Sequence, residues 1–307
     1  MSYKYRFSIF TATYNRGEYL KKVYECLCKQ TFQDFEWIIV DDGSSDNTSS
    51  IVQSLITVSS FSIRYFCHER NSGKHIAWKT ATAEMQGLYA ITADDDDTFP
   101  NNALEIFHHQ WLQLEQAPNY EKFWEVRGRC SVDGKTIFGP LLPSNIYDSD
   151  YNEVNYCFKV RGLEMSGCRK VDVLKGLAAV PHHFIYDSEC SNFAESIRWS
   201  RAARLYKTRF ISDVVRYYNV STSGLTRNNR GVKRTYNMLV GEIYTLNEQH
   251  DLLLRYDKTR WLKEIFSFTY HNIRLGHYRL CDLKHISDRI ISVALYMPSF
   301  IIQKIRK

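Results

Sequence analysis

Four consecutive aspartates, Asp94-Asp95-Asp96-Asp97, follow directly on the apolar run Leu88-Tyr89-Ala90-Ile91-Thr92-Ala93. Carboxylates packed this closely raise one another's pKa unless a cation neutralises them. An all-oxygen donor set suits a hard divalent ion, and magnesium is commonly held by one or two carboxylates together with substrate phosphates. The cluster therefore points to Mg²⁺ or Mn²⁺. A second acidic cluster, Asp41-Asp42-Gly43-Ser44-Ser45-Asp46, ends the apolar run Trp37-Ile38-Ile39-Val40. A third polar group, at residues 13–17, follows Ser8-Ile9-Phe10-Thr11-Ala12. An acidic surface loop is the bland alternative for the aspartates, and the apolar strand leading straight into them argues against it.

The elements that position these clusters are legible as repeated β-α units. Phe7–Phe10 is a short β-type run, and Glu18 to Gln30 carries Tyr19, Leu20, Val23, Tyr24 and Leu27 at helical spacing. Trp37–Val40 is continuously apolar, as expected of a strand covered on both faces. Ile51, Val52 and Leu55 mark the next helix, Phe61–Phe66 a third strand, 75–86 a helix and Leu88–Ala93 a fourth strand. Leu104, Ile106, Phe107 and Trp111 follow Pro100 at helical spacing. Such units build a mostly parallel sheet with helices on both faces, and ligands sit beyond the carboxyl ends of its strands. All three polar clusters occupy that position. After residue 120 the alternation breaks: Phe123–Cys130 is strand-like, Asp133-Gly134 signals a turn into Lys135–Phe138, and residues 139–155 read as a loop.

The segments Ser8-Ile9-Phe10-Thr11-Ala12-Thr13-Tyr14-Asn15-Arg16 and Gln30-Thr31-Phe32-Gln33-Asp34-Phe35-Glu36-Trp37-Ile38-Ile39-Val40-Asp41-Asp42-Gly43-Ser44-Ser45-Asp46-Asn47-Thr48 resemble the family 2 glycosyltransferases. The resemblance continues through Asn71-Ser72-Gly73-Lys74-His75 and Asp94–Asp97, and covers roughly the first 115 residues in order and spacing. Ala12 departs from the pattern, where the family commonly has proline. Asp94-Asp95-Asp96-Asp97-Thr98 also satisfies D-x-D-x-T, the phosphatase motif of the haloacid dehalogenase superfamily, with Asp94 as nucleophile and Asp96 as general acid. That motif normally lies on a first strand, whereas here three β-α units precede it, and no convincing G-D-x-x-x-D motif follows.

The resemblance implies a nucleotide-diphospho-sugar transferase fold and an inverting, metal-dependent enzyme. Position by position, Tyr14 borders the base, Ala12 and Thr13 line it, and Asp42 accepts a hydrogen bond from it, which favours uracil and hence a UDP-sugar. Asp94 and Asp95 approach ribose and metal, with Asp94 a second candidate ligand, and Asp96 is the direct metal ligand. Lys74, Arg16 and Lys79 are candidate cations for the phosphates. Inversion needs a carboxylate to take the acceptor proton. Glu195, in Phe193-Ala194-Glu195-Ser196-Ile197-Arg198-Trp199, matches the family arrangement best, with Asp187 and Glu189 as alternatives. His182-His183 suits a structural or acceptor-contact role better than metal ligation, and Glu164–Arg169 lies where relatives place acceptor-side residues. The implied acceptor is a glycan or lipid-linked oligosaccharide of cell-surface polysaccharide synthesis. A catalytically silent nucleotide- or glycan-binding module is the alternative, because function belongs to the site and not to the fold.

Composition sets the outer limits. The 307 residues are 44% hydrophobic and 24% charged, which excludes disordered, collagen-like and small disulfide-rich classes. The eight cysteines form no C-x-x-C pair and suit a reducing compartment. The longest uncharged apolar stretch, Ile290–Gln303, is shorter than the roughly 18–20 residues of a spanning helix and contains Pro298. With no secretory signal in view, a cytoplasmic protein is expected. Charge is uneven: residues 198–307 hold 21 basic and 8 acidic residues, against 19 and 26 in residues 1–197. The basic part suits peripheral contact with the inner face of the cell membrane, with Trp261, Phe266, Phe268, Tyr296 and Phe300 at the interface. Packing on the core and homodimerisation remain open alternatives, and no nucleic-acid module is recognisable. The expected organisation is a catalytic domain over 1–232, divided into a donor half (1–115) and an acceptor half (116–232), followed by a helical extension over 233–307.

Overall fold

The computed structural model describes residues 3–132, 136–138, 142–157, 165–178, 195–218 and 231–305. The chain separates into two compact units. The first comprises Met1–Val180 and Ala202–Ser221, the second Pro181–Arg201 and Thr222–Lys307.

The first unit is built on one sheet. Strands β1 (Tyr5–Thr13), β2 (Phe35–Asp41), β3 (Ser62–Cys67) and β4 (Gly87–Thr92) are parallel, in the order β3-β2-β1-β4. Strand alternation divides the β1 and β2 side chains between two faces. Phe7, Ile9, Trp37 and Ile39 join a core with Leu20 and Val23 of α1 (Gly17–Cys28), Val52 of α2 (Thr48–Val58) and Phe107 and Trp111 of α4 (Ala103–Glu115). On the other face, Phe10 meets Trp78 of α3 (Lys74–Glu84), ring centroids 6.0 Å apart. Helices therefore cover both faces, as the continuous apolar β2 requires.

A hydrogen-bonded knot pins this part of the sheet. Ser8 Oγ donates to the buried Glu36 Oε1 at 2.6 Å and accepts from Gly87 N at 2.8 Å. A Cβ on Gly87 would lie 2.4 Å from Ser8 N and 2.5 Å from the Phe7 carbonyl carbon. Backbone cannot yield there as a flexible side chain can, so Gly87→Ala is expected to destabilise the fold by about 3 kcal/mol. Urea unfolding of the two proteins checks this.

The second half of the sheet is mixed. β8 (Met165–Lys170) inserts antiparallel between β4 and β5 (Phe123–Ser131). β5 runs parallel to β9 (Lys207–Tyr217), whose far edge pairs antiparallel with β7 (Ile146–Ser149), while β6 (Ile137–Phe138) pairs with β5. The parallel character expected from the first hundred residues thus belongs to the β3-β2-β1-β4 half. Residues 139–155 do not form one loop: β7 and most of α5 (Tyr151–Cys157) lie there, and residues 139–141 are outside the described set. The Asp133-Gly134 turn also lies outside it. α6 (Val171–Ala178) packs beside α3.

The second unit is helical. It contains most of α7 (Glu195–Ala202), then α8 (Val232–Glu248), α9 (His250–Tyr256), α10 (Lys258–Arg274), α11 (Ile286–Ala294) and α12 (Tyr296–Ile305). Asp257 caps α10 by accepting from Arg260 N at 2.8 Å. Arg201 binds Glu248 with two parallel bonds of 2.7 and 2.6 Å. Pro298 falls in the first turn of α12, where its missing N–H has no intrahelical partner to lose. The aromatic set expected at a membrane is not a surface set: Phe268 is fully buried and Trp261 donates its Nε1–H to the buried Asp288. No helix among the described residues is long and apolar enough to cross a membrane, and the seven cysteines among them are free.

Candidate active site

The carboxyl ends of β1, β2 and β4 bring the three polar clusters to one sheet edge. Thr13 pairs with Asp41 in the β1–β2 register, and Ala93 N donates to Phe10 O at 2.8 Å just before the aspartates. The aspartates then form a turn closed by Asp97 N to Asp94 O at 3.1 Å. Thr98 and Tyr217 exchange backbone bonds of 3.2 and 2.8 Å, which tie the turn to the end of β9.

Three cations converge on this turn. Lys74 Nζ, on the first residue of α3, donates to Asp94 Oδ1 at 2.6 Å. Arg16 Nη2 meets Asp96 Oδ2 at 2.9 Å and its Nε lies 3.2 Å from Asp95 Oδ2. Arg216, from β9, lies 3.2 Å from Asp97 Oδ2 and 4.0 Å from Asp94 Oδ2. Burial would raise the Asp94 carboxyl pKa, but Lys74 and Arg216 hold it below its ordinary value. Asp95 goes the other way: burial, then the charges of Asp96 and Asp94, overcome Arg16 and push it up to about 7. The turn sets four carboxyl groups against three protein cations. Hard carboxylate oxygens in such a cluster fit a divalent cation. No group of three or more His, Cys, Asp or Glu side chains among the described residues is arranged to hold a metal by itself.

The neighbouring loops are pinned to one another. Asn15 adopts a left-handed φ of 52°, its N–H donates to Ser44 Oγ at 2.8 Å, and its Oδ1 accepts from Ser45 N at 2.8 Å. Gly43 has φ +82°, and a Cβ there would lie 2.7 Å from the Arg70 carbonyl carbon. Asp42 is buried and accepts from Ser72 N at 3.0 Å and Gly73 N at 2.7 Å, with His68 Nδ1 at 2.8 Å. A carboxylate offers about four acceptor directions, so roughly one remains for a ligand. Tyr14 stands exposed at the mouth of this edge.

The expected donor-side residues Thr13, Tyr14, Arg16, Asp42, Lys74 and Asp94–Asp96 therefore share one edge, reached by Ala12 at the end of β1. Lys79 is exposed on α3 and makes no ion pair with the acidic turn. Glu195 is the first residue of α7; Asp187, Glu189, His182, His183 and Glu164 lie outside the described residues. Met165–Arg169 belong to β8, where Arg169 joins a buried ion-pair network with Glu125. Sequence reasoning missed Arg216 and His68. Neither sits in a recognisable motif, and Arg216 reaches the turn through the β5–β9 pairing and the Thr98–Tyr217 bridge.

Residues 8–115 match the family described as Glycosyl transferase family 2. The glycosyltransferase GlyG of Streptococcus pneumoniae is 32% identical over 155 residues, covering 50% of this chain and 44% of that protein. The chain spans less than half the length of the curated relatives it matches. Residues 1–349 of S. aureus TarS, solved with UDP-GlcNAc, superpose with a TM-score of 0.64 at 15% identity, covering 96% of this chain and 90% of that one. The mannosyltransferase PcManGT from Pyrobaculum calidifontis, solved with GDP-Man and Mn²⁺, gives 0.56 at 16% identity, covering 98% and 84%. These likenesses establish the shared fold.

Proposed function

Residues 8–115 belong to glycosyl transferase family 2, and from that premise we propose that the protein transfers a sugar from a nucleotide-diphospho-sugar to a hydroxyl group. The observation that carries this reading is the acidic turn ringed by Arg16, Lys74 and Arg216 beyond the ends of parallel strands. Such an edge is where α/β sheets bind ligands.

We assign the donor as UDP-linked, with Tyr14 bordering the base, Ala12 and Thr13 lining it, and Asp42 using its remaining acceptor direction on the base N–H. Arg16 and Lys74 can each exchange a carboxylate for a phosphate oxygen, which keeps both cations neutralised before and after donor binding. Asp96, assisted by Asp94, would hold Mg²⁺ or Mn²⁺, and the bound ion supplies Lewis-acid stabilisation of charge on the departing diphosphate. TarS and PcManGT, solved with nucleotide-sugars and in the second case with Mn²⁺, are consistent with such a donor and metal. Glu195 is assigned as the base that takes the acceptor proton in an inverting displacement, with Asp187 and Glu189 as alternatives. The acceptor is a glycan or lipid-linked oligosaccharide of cell-surface polysaccharide, glycosylated in the cytoplasm by a catalytic domain spanning residues 1–232.

Thermal unfolding with UDP, GDP and CMP, each with and without Mn²⁺, tests the donor site. A ligand at about a hundred times its dissociation constant adds about 2.7 kcal/mol of stability. The expected result is a manganese-dependent stabilisation by UDP alone. Preference for GDP would keep the transfer reaction and remove the base assignment, and no response to any nucleotide would favour a silent module.

A further inference from the structure

The last two helices of the second unit are amphipathic in the wrong sense for a solvent-facing surface. A helix on a globular core turns apolar residues inward and polar residues outward. In α11 and α12 the inward residues include Asp288, Ser292 and Ser299, all fully buried. Asp288 accepts from Trp261 Nε1 at 2.9 Å and faces His250 Nδ1 at 3.1 Å. The Ser292 hydroxyl lies 2.7 Å from Thr269 Oγ1 and 3.2 Å from the Tyr278 hydroxyl. These bonds fix the rotation of α11, and with it the face presented to the outside.

That outer face is aliphatic. Ile286, Ile290, Val293, Met297 and Ile301 are each between 50% and 70% exposed. Spacings of four and three residues put Ile286, Ile290 and Val293 on one face of α11, a spacing of four puts Met297 and Ile301 on one face of α12, and these two rows form the stripe. Scattered exposed apolar residues need no explanation, but a contiguous row does. The exposed charges along the segment that carries it are basic. In residues 283–307 the single carboxylate is the buried Asp288, while Lys284, Arg289, Lys304, Arg306 and Lys307 are basic. Lys284 and Lys304, one near each end of the stripe, are exposed.

We propose that α11 and α12 dock the protein on an anionic bilayer surface, with the stripe entering the acyl boundary and the basic residues meeting the headgroups. The charge pattern selects this occupant over a second copy of the chain. A two-fold pairing of the stripe would set its basic ends against each other, whether the helices ran parallel or antiparallel. The contact is made by aliphatic side chains on the outer face and not by the aromatic residues of the region. It stands independently of the transfer reaction and of the donor assignment.

Vesicle flotation of the full chain tests the proposal, with phosphatidylcholine vesicles containing or lacking phosphatidylglycerol. The wild-type protein is expected to float with the anionic vesicles, to float far less with the neutral ones, and to be released by salt. The triple variant Ile290→Ser, Val293→Ser, Met297→Ser alters only exposed side chains and should keep its thermal midpoint while its partitioning falls at least about tenfold. Lys304→Glu should lower partitioning about fivefold or more, since each basic residue near an anionic surface contributes about 1 kcal/mol. Absence of wild-type flotation, or equal flotation of the triple variant, would overturn the proposal. So would a wild-type dimer in size-exclusion light scattering that the triple variant dissociates without any vesicle binding, because the stripe would then belong to a second copy.

Discussion

Asp96→Ala is expected to lower sugar transfer by about a thousandfold while leaving the protein folded. The side chain is partly exposed, and its ion-pair partner is Arg16, whose Nε also lies 3.2 Å from Asp95. The turn itself is held by backbone, through Asp97 N to Asp94 O and the Thr98–Tyr217 bridge. Removing one carboxylate therefore removes an oxygen donor without removing a structural tie. Asp97, one residue on, differs in kind: it is 1% exposed and paired with the buried Arg216, so Asp97→Ala would confound catalysis with folding. The check is donor-dependent turnover across a manganese titration, alongside circular dichroism melts of both proteins. Turnover that survives Asp96→Ala would take the acidic turn out of the reaction.

The largest expected effect on stability lies elsewhere, at Glu125. This residue is fully buried on β5, with Arg127 Nη2 at 2.8 Å and Arg169 Nε at 2.7 Å on Oε1, and Thr208 Oγ1 donating to Oε2 at 3.2 Å. Glu125→Ala leaves two buried guanidinium groups without this carboxylate, and breaking a buried pair on one side costs about 3–5 kcal/mol. The same network makes stability fall in acid. Burial opposes ionisation of Glu125, but Arg127 and Arg169 win and hold its pKa below the ordinary carboxylate value. A depressed folded-state pKa contributes stability above the unfolded value, near about 4.3, and that contribution is lost as pH falls through the folded value. Urea unfolding at neutral pH measures the first effect, and a pH series of wild type against variant isolates the second. A loss below about 1 kcal/mol would mean that the two arginines are satisfied without Glu125.

The donor-side half was legible because local signals and tertiary structure agree there. Phe7–Phe10 and Trp37–Val40 read as strands, the helical spacing of Leu20, Val23 and Leu27 matches α1, and each strand ends where its polar cluster begins. Arg16, Lys74 and the aspartates could be nominated because they lie within or beside those clusters. Arg216 could not, since it is one arginine among many in a basic stretch and long-range pairing brings it to the turn. β8 was hidden for a related reason: it inserts antiparallel between β4 and β5, an order that no local pattern encodes. β7 lay in a stretch rich in Pro, Asn, Asp and Ser, and its pairing with β9 overrides that composition. In the terminal segment the apolar character was plain, but its direction was not. Sequence alone does not say that Asp288 and Ser292 find buried partners on α9, α10 and nearby residues and so turn the isoleucines outward.

The order of segments in the first unit has a consequence for how the protein is made. β9 lies inside the sheet, between β5 and β7, yet its residues follow an excursion of the chain, Pro181–Arg201, that belongs to the second unit. A nascent chain that has emerged only as far as β8 exposes an open edge on β5, and its acidic turn lacks both Arg216 and the bridge to Tyr217. Exposed strand edges are where emerging chains aggregate, and domains tend to fold from the amino terminus as they leave the ribosome. Competence of the aspartate turn is therefore postponed until β9 (Lys207–Tyr217) has been translated, and a ribosome stalled earlier presents an unfinished sheet to the chaperones around it.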